Sequence, residues 1–131
     1  MKRKIYDQLM AWKEEGAGRT ALLIDGARRV GKSYIVEQLA KAAYKSYILI
    51  DFNRVSDEVM DLFIHYLNDL DMLFMYLAGY YNVKLYEHES LIIFDEVQLF
   101  PRARAAIKYL VADGRYDYIE TGSLMSIKRN V

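Results

Sequence analysis

A chain of 131 residues suffices for one domain with one core and is too short for two. Its 18 basic and 18 acidic side chains sum to a net charge of zero, which excludes a global field drawing it onto nucleic acid or an anionic membrane. The absence of cysteine excludes disulfide scaffolds, thiolate metal sites and a cysteine nucleophile, and fits a cytoplasmic protein.

Two local basic clusters, Lys2-Arg3-Lys4 and Lys128-Arg129, read as solvated helix or tail. Lys13, Glu14 and Glu15 interrupt any apolar run that would make a signal peptide. The greasiest stretch, Leu70 to Tyr81, contains Asp71 and is about half the length of a bilayer span. A soluble protein is expected.

In chain order, Ile5, Leu9 and Trp12 share one face of a helix over residues 3–15, which the Glu15-Gly16-Ala17-Gly18 stretch breaks. Ala21-Leu22-Leu23-Ile24 is a continuous apolar run, the pattern of a strand buried on both faces. A glycine-bounded loop leads into a helix from Lys32 to Ala43 that buries Ile35, Val36 and Leu39. Tyr47-Ile48-Leu49-Ile50, ending at Asp51, is a second buried strand. Asn53 or Ser56 caps the helical region that follows. That region is too long for one ordinary helix, so it divides near Asn68-Asp69, and Gly79 and Asn82 end it. Its aromatic stripe, Phe63 through Tyr81, has helical spacing and reads as core. Leu91-Ile92-Ile93-Phe94 is a third buried strand. Phe100 to Val111 is helical with Pro101 in its first turn, where a missing N–H costs nothing. Asp113-Gly114 turns the chain into a fourth strand, Tyr116 to Glu120. Strands alternating with helices imply a parallel sheet between helical layers.

The segment Gly26-Ala27-Arg28-Arg29-Val30-Gly31-Lys32-Ser33 fits G-x-x-x-x-G-K-[ST] at every fixed position. Gly26 and Gly31 allow backbone angles at which successive N–H groups point at one anion. Lys32 brings a compact positive charge to the β- and γ-phosphates, and the Ser33 hydroxyl is suited to ligate Mg²⁺. The helix starting there adds the positive end of its dipole. Gly26 through Tyr34 is thus the expected nucleotide-binding block. Arg28 and Arg29 stand as solvated loop charges, or as groups reaching phosphate or a neighbouring subunit.

Further on, Leu91-Ile92-Ile93-Phe94 is followed by Asp95-Glu96, two carboxylates at the C-terminal end of a buried strand, where parallel sheets carry their sites. Asp95 is suited to hold Mg²⁺ through its water shell, and Glu96 to activate a water against the γ-phosphate. The fourth strand ends in Glu120-Thr121-Gly122-Ser123, whose Thr121 or Ser123 can contact the attacking water or the phosphate, or simply form a turn. Gln98 can orient Glu96 or substrate, or be an exposed loop amide. His65 and His88 lack partners at metal-ligand spacing. Tyr6, Leu9 and Trp12 pack in the core or cover a flat base.

GARRVGKS after an apolar strand, LIIFDEVQ, and YIETGS together resemble the AAA-plus-type ATPases of bacteria and archaea. More narrowly, they resemble the subgroup carrying a C-terminal restriction-endonuclease-like domain. The resemblance spans the N-terminal helix to the TGS tip. It implies a three-layer P-loop NTPase fold with a mainly parallel sheet of about four strands, the TGS strand lying between the P-loop strand and the acidic strand. It also implies Lys32 and Ser33 at nucleotide and Mg²⁺, Asp95 and Glu96 as the Walker-B pair, and a polar sensor near Thr121. Relatives continue beyond this point, so the domain is expected to be truncated before its lid, and any DNA association to need further C-terminal domains. Arg115, before the fourth strand, is read as exposed, or as acting in trans.

The expected function is therefore Mg-dependent binding and hydrolysis of ATP, with a homo-oligomer left open and no membrane partner. A nucleotide-binding switch or assembly module with little turnover is the first rival, and a P-loop kinase the second. No Asn-Lys-x-Asp guanine-reading motif is present in the sequence, so ATP is chosen by default.

Overall fold

The structure is a computed structural model that describes residues 2–16, 22–26 and 32–123. Helix α1 (Lys2–Gly16) precedes strand β1 (Leu22–Gly26), helix α2 (Lys32–Ala43) and strand β2 (Ser46–Asp51). Helices α3 (Asp57–His65) and α4 (Leu70–Tyr81) come next, then strand β3 (Ser90–Asp95). A 3-10 turn (Val97–Leu99), helix α5 (Pro101–Asp113) and strand β4 (Asp117–Ser123) complete the described chain.

The four strands form one parallel sheet in the order β1-β4-β3-β2. The expected α/β class holds, as does the placing of the fourth strand between the first and the third. Every residue of β3 is buried, because the sheet is covered on both faces and successive side chains enter opposite layers. Ile92 and Phe94 join Ile48, Ile50, Phe63 and Tyr118 in the layer under α3, α4 and α5. Leu91 and Ile93 join Leu9, Val36, Leu39 and Ile119 in the layer under α1 and α2. The unbroken apolar run Leu91–Phe94 is thus two half-cores interleaved.

Helix boundaries follow local chemistry. Ser56 caps α3 by accepting from Val59 N at 3.3 Å, and Asp69 caps α4 by accepting from Met72 N at 3.3 Å. Asn53, the other candidate, instead donates its backbone N–H to Asp51 Oδ1 at 2.9 Å, closing a tight turn after β2. Gly79, expected to help end the region, lies within α4, and the stop is Asn82 in the left-handed conformation at φ 55°. Gly114 ends α5 at φ 81°. β4 starts one residue later than expected and runs on to Ser123, since its pairing with β1 continues to Gly26↔Ser123.

The aromatic stripe divides. Phe63 and Phe74 are buried, but Tyr76 is 39% exposed and Tyr80 46% exposed. One helix face can enter the core while the neighbouring face of the same helix cannot. Among the described residues, no helix is long and apolar enough to cross a membrane.

Candidate functional site

The site builds at the C-terminal ends of the parallel strands. The pairing Gly26↔Ser123 sets the end of β1, where the phosphate-loop sequence begins, beside the end of β4. On the other side of β4, Phe94 pairs with Glu120, which brings Asp95 level with Thr121. The Thr121 hydroxyl donates to Asp95 Oδ1 at 2.5 Å and accepts from Glu96 N at 3.0 Å. One fully buried hydroxyl therefore holds both members of the acidic pair, through the side chain of one and the main chain of the other.

Glu96 leaves the strand in the left-handed conformation at φ 58° and ψ 46°, uncommon for a residue with a long side chain. This reversal opens the 3-10 turn and brings Gln98 back over Glu96, so that Gln98 Nε2 donates to Glu96 Oε1 at 2.7 Å. Asp95, Glu96 and Gln98 are all buried. Gln98 is thus no exposed loop amide, although its position beyond the strand hid the reversal that buries it. Asp51, at the end of β2, pairs in register with Asp95 and adds a third carboxylate near the tip. It could have been found as the acidic end of an apolar strand, the signal that identified Asp95.

Ala27, Arg28, Arg29, Val30 and Gly31 lie outside the described residues. Gly26 closes β1 and Lys32 and Ser33 open α2, so a strand leads into the phosphate-loop sequence and a helix leads out of it, as the motif requires. The side chains of Gly26, Lys32, Ser33 and Ser123 are outside the described ones. Tyr34 is exposed, and its hydroxyl accepts from Gln38 Nε2 at 2.7 Å, one turn along α2.

Beside the acidic pair a cleft of about 460 Å³ is lined, among the described residues, by Gln98, Pro101, Arg104 and Ala105. Arg104 Nε lies 3.5 Å from Glu120 Oε1. Burial pushes the Glu120 carboxyl up from its ordinary value, and the Arg104 guanidinium opposes that shift.

Other groups lie away from this tip. Arg115 is not exposed as expected. Its guanidinium donates to both carboxylate oxygens of Asp113, approaches Asp71 Oδ1 at 2.7 Å and covers the Phe74 ring. It ties α4 to the turn before β4, which commits its charge within the fold. Leu9 is buried in the α1–α2 layer and Trp12 packs against it, whereas the Tyr6 side chain is outside the described ones. Among the described residues, no group of three or more His, Cys, Asp and Glu side chains could hold a metal unaided. For Mg²⁺ that is no obstacle, since one or two carboxylates with substrate phosphates ordinarily suffice. The buried Asp95 carboxylate, on the same edge of the sheet as the strand end that opens the phosphate-loop sequence and separated from it by β4, is a hard oxygen donor that fits such an ion.

Comparison with known proteins agrees with the topology. The family model described as an AAA domain matches residues 18–130. No curated protein and no solved structure gave a match.

Proposed function

The chain belongs to the AAA domain family, and on that premise we propose that it binds ATP with Mg²⁺ and hydrolyses the β–γ phosphoanhydride bond. The observation that carries this reading is the Thr121 clamp, which fixes Asp95 and Glu96 together at the tip of β3. A family domain that only bound nucleotide would need Asp95 and not the adjoining Glu96.

Each residue has a distinct task. The backbone N–H groups from Gly26 to Ser33 cradle the phosphates, and Lys32 neutralises the β- and γ-oxygens. Ser33 and Asp95 would hold Mg²⁺, which when bound would neutralise negative charge on the phosphates. Glu96 takes a proton from water as the water oxygen bonds to the γ-phosphorus and the β–γ bridge bond breaks. Thr121 keeps the two carboxylates in register for these roles.

The test is calorimetry with Mg·ATP on the wild-type chain and Lys32→Ala, using GTP as comparator, followed by turnover of wild type and Glu96→Gln. Magnesium-dependent ATP binding lost in Lys32→Ala is expected. Glu96→Gln should keep binding and lose turnover by about 10²–10⁴-fold, the range for removing a general base. Tight binding with no wild-type turnover would overturn hydrolysis in favour of a nucleotide-driven switch.

A further inference from the structure

A buried amide has a donor end and an acceptor end to satisfy, and Gln98 satisfies one. The residue is 8% exposed. Its Nε2 donates to Glu96 Oε1 at 2.7 Å, while its Oε1 is buried without a hydrogen-bond partner. An ionised carboxylate only accepts, so turning the amide over would set oxygen against oxygen. Glu96 therefore dictates the orientation of Gln98 and leaves the amide oxygen unpaired on the other side.

An unpaired buried carbonyl works against folding, whereas the bond to the buried Glu96 oxygen works for it, so the two oppose each other in the stability of the fold. Net stability thus gives glutamine little advantage at this position. What the amide does provide is a directional hold on one oxygen of Glu96. The main chain of Glu96 is already fixed by Thr121 and by its left-handed turn. Its side chain is long and rotatable, and Gln98 reaches it from only two residues along the chain. A carboxylate that must meet a water in line with a phosphoryl group gains from such restraint, because small misplacements of a reacting group are costly in rate.

We propose that Gln98 is a positioning residue for the attack step, holding the Glu96 carboxylate in the orientation from which it takes the proton of water. The inference rests on the ATP-hydrolysis reading above. Its distinguishing property is that Gln98 acts only through Glu96.

The experiment compares wild type, Gln98→Met and Gln98→Asn, each alone and combined with Glu96→Gln, in Mg·ATP turnover, Mg·ATP calorimetry and thermal unfolding. Met keeps the length and removes the donor, while Asn keeps the amide and withdraws it by one methylene. Both should lower kcat by about 10–100-fold, in line with the rate cost of misplaced reacting groups. ATP affinity should stay within about twofold, and Gln98→Met, which removes an unpaired amide oxygen but leaves a buried Glu96 oxygen without this donor, should still unfold cooperatively above the assay temperature. On the Glu96→Gln background neither substitution should lower turnover further, because the group it orients is gone. Unchanged kcat in Gln98→Met would overturn the proposal. So would a loss of kcat that follows a loss of affinity or folding, or one that persists undiminished on the Glu96→Gln background. A folded wild type without turnover would overturn the hydrolysis reading and this inference together. That result differs from an active wild type whose Gln98 variants match it.

Discussion

The two ends of the sheet are both polar, and they use their polar groups differently. At the N-terminal end, polar side chains close the fold. Ser46 Oγ donates to Lys84 O at 2.6 Å and lies 2.6 Å from Ser90 Oγ, which in turn accepts from Tyr86 N at 2.8 Å. Tyr44, after α2, donates to Asp117 Oδ2 at 2.5 Å across 73 residues of sequence. These contacts join loops and strand starts to one another, and their donors find acceptors within the fold. At the C-terminal end, Asp95 and Glu96 place two carboxylates side by side in a buried position, Glu96 adopts a strained backbone conformation, and Gln98 keeps one amide oxygen unpaired. Strain and unsatisfied polarity of this kind persist where the surrounding structure holds them, and they gather at functional sites. The N-terminal end thus uses these side chains to close the fold, and the C-terminal end gathers the groups on which the proposed function draws.

Thr121 tests that division most severely, because it serves both purposes. Thr121→Val removes the donor to Asp95 and the acceptor of Glu96 N–H from a site with no exposure to water. A loss of about 2–4 kcal/mol in denaturant unfolding is expected, with one bond to a charged group and one to a backbone N–H removed. Thr121→Ser, which retains the hydroxyl, should recover most of the loss. An unchanged Thr121→Val would mean that the clamp contributes nothing to holding the acidic pair.

A pair of tyrosines sharpens the contrast. Tyr44→Phe leaves a buried Asp117 oxygen without its donor and should cost about 1–3 kcal/mol in thermal or denaturant unfolding. Burial and the Asp117 carboxylate both push the Tyr44 hydroxyl far above its ordinary value, so it stays a donor at any working pH. The Tyr118 hydroxyl is buried without a partner, so Tyr118→Phe should be neutral to within about 0.5 kcal/mol, or slightly stabilising. Equal costs for the two would break the argument from satisfied and unsatisfied groups.

The smallest effect is expected at Glu120, beside the acidic tip. Burial raises its folded pKa above the ordinary 4.5, so the folded state favours the protonated form. Its contribution to stability is fully present below that ordinary value and is lost as pH rises through the higher folded value. Glu120→Gln should therefore match wild type in acid and gain on it at neutral pH, by less than about 1 kcal/mol because Arg104 partly offsets the buried charge. Unfolding midpoints across pH 4 to 7 check the sign, with a variant losing stability at neutral pH as the contrary result.

Much of this architecture was legible in the order of residues. Short apolar runs ending in Asp51 and Asp95 marked buried strands, since a strand covered on both faces has no position for alternating polar residues. The spacing of Ile35, Val36 and Leu39 marked a helix whose bounds the structure repeats. The glycines, lysine and serine of the loop named a chemistry by local spacing alone, because successive backbone N–H groups can converge on an anion within one loop. What needed the tertiary structure were the contacts between strands and the turn after β3. Thr121 meets Asp95 only because β4 lies between β1 and β3 in a fixed register. Gln98 is buried only because Glu96 reverses the chain in a conformation that its residue type does not announce. Arg115 looked solvent-facing until folding brought Asp71 and Phe74 to it. Local pattern is written by neighbours in sequence, but the partners of a polar side chain are chosen by whichever backbone folding places beside it.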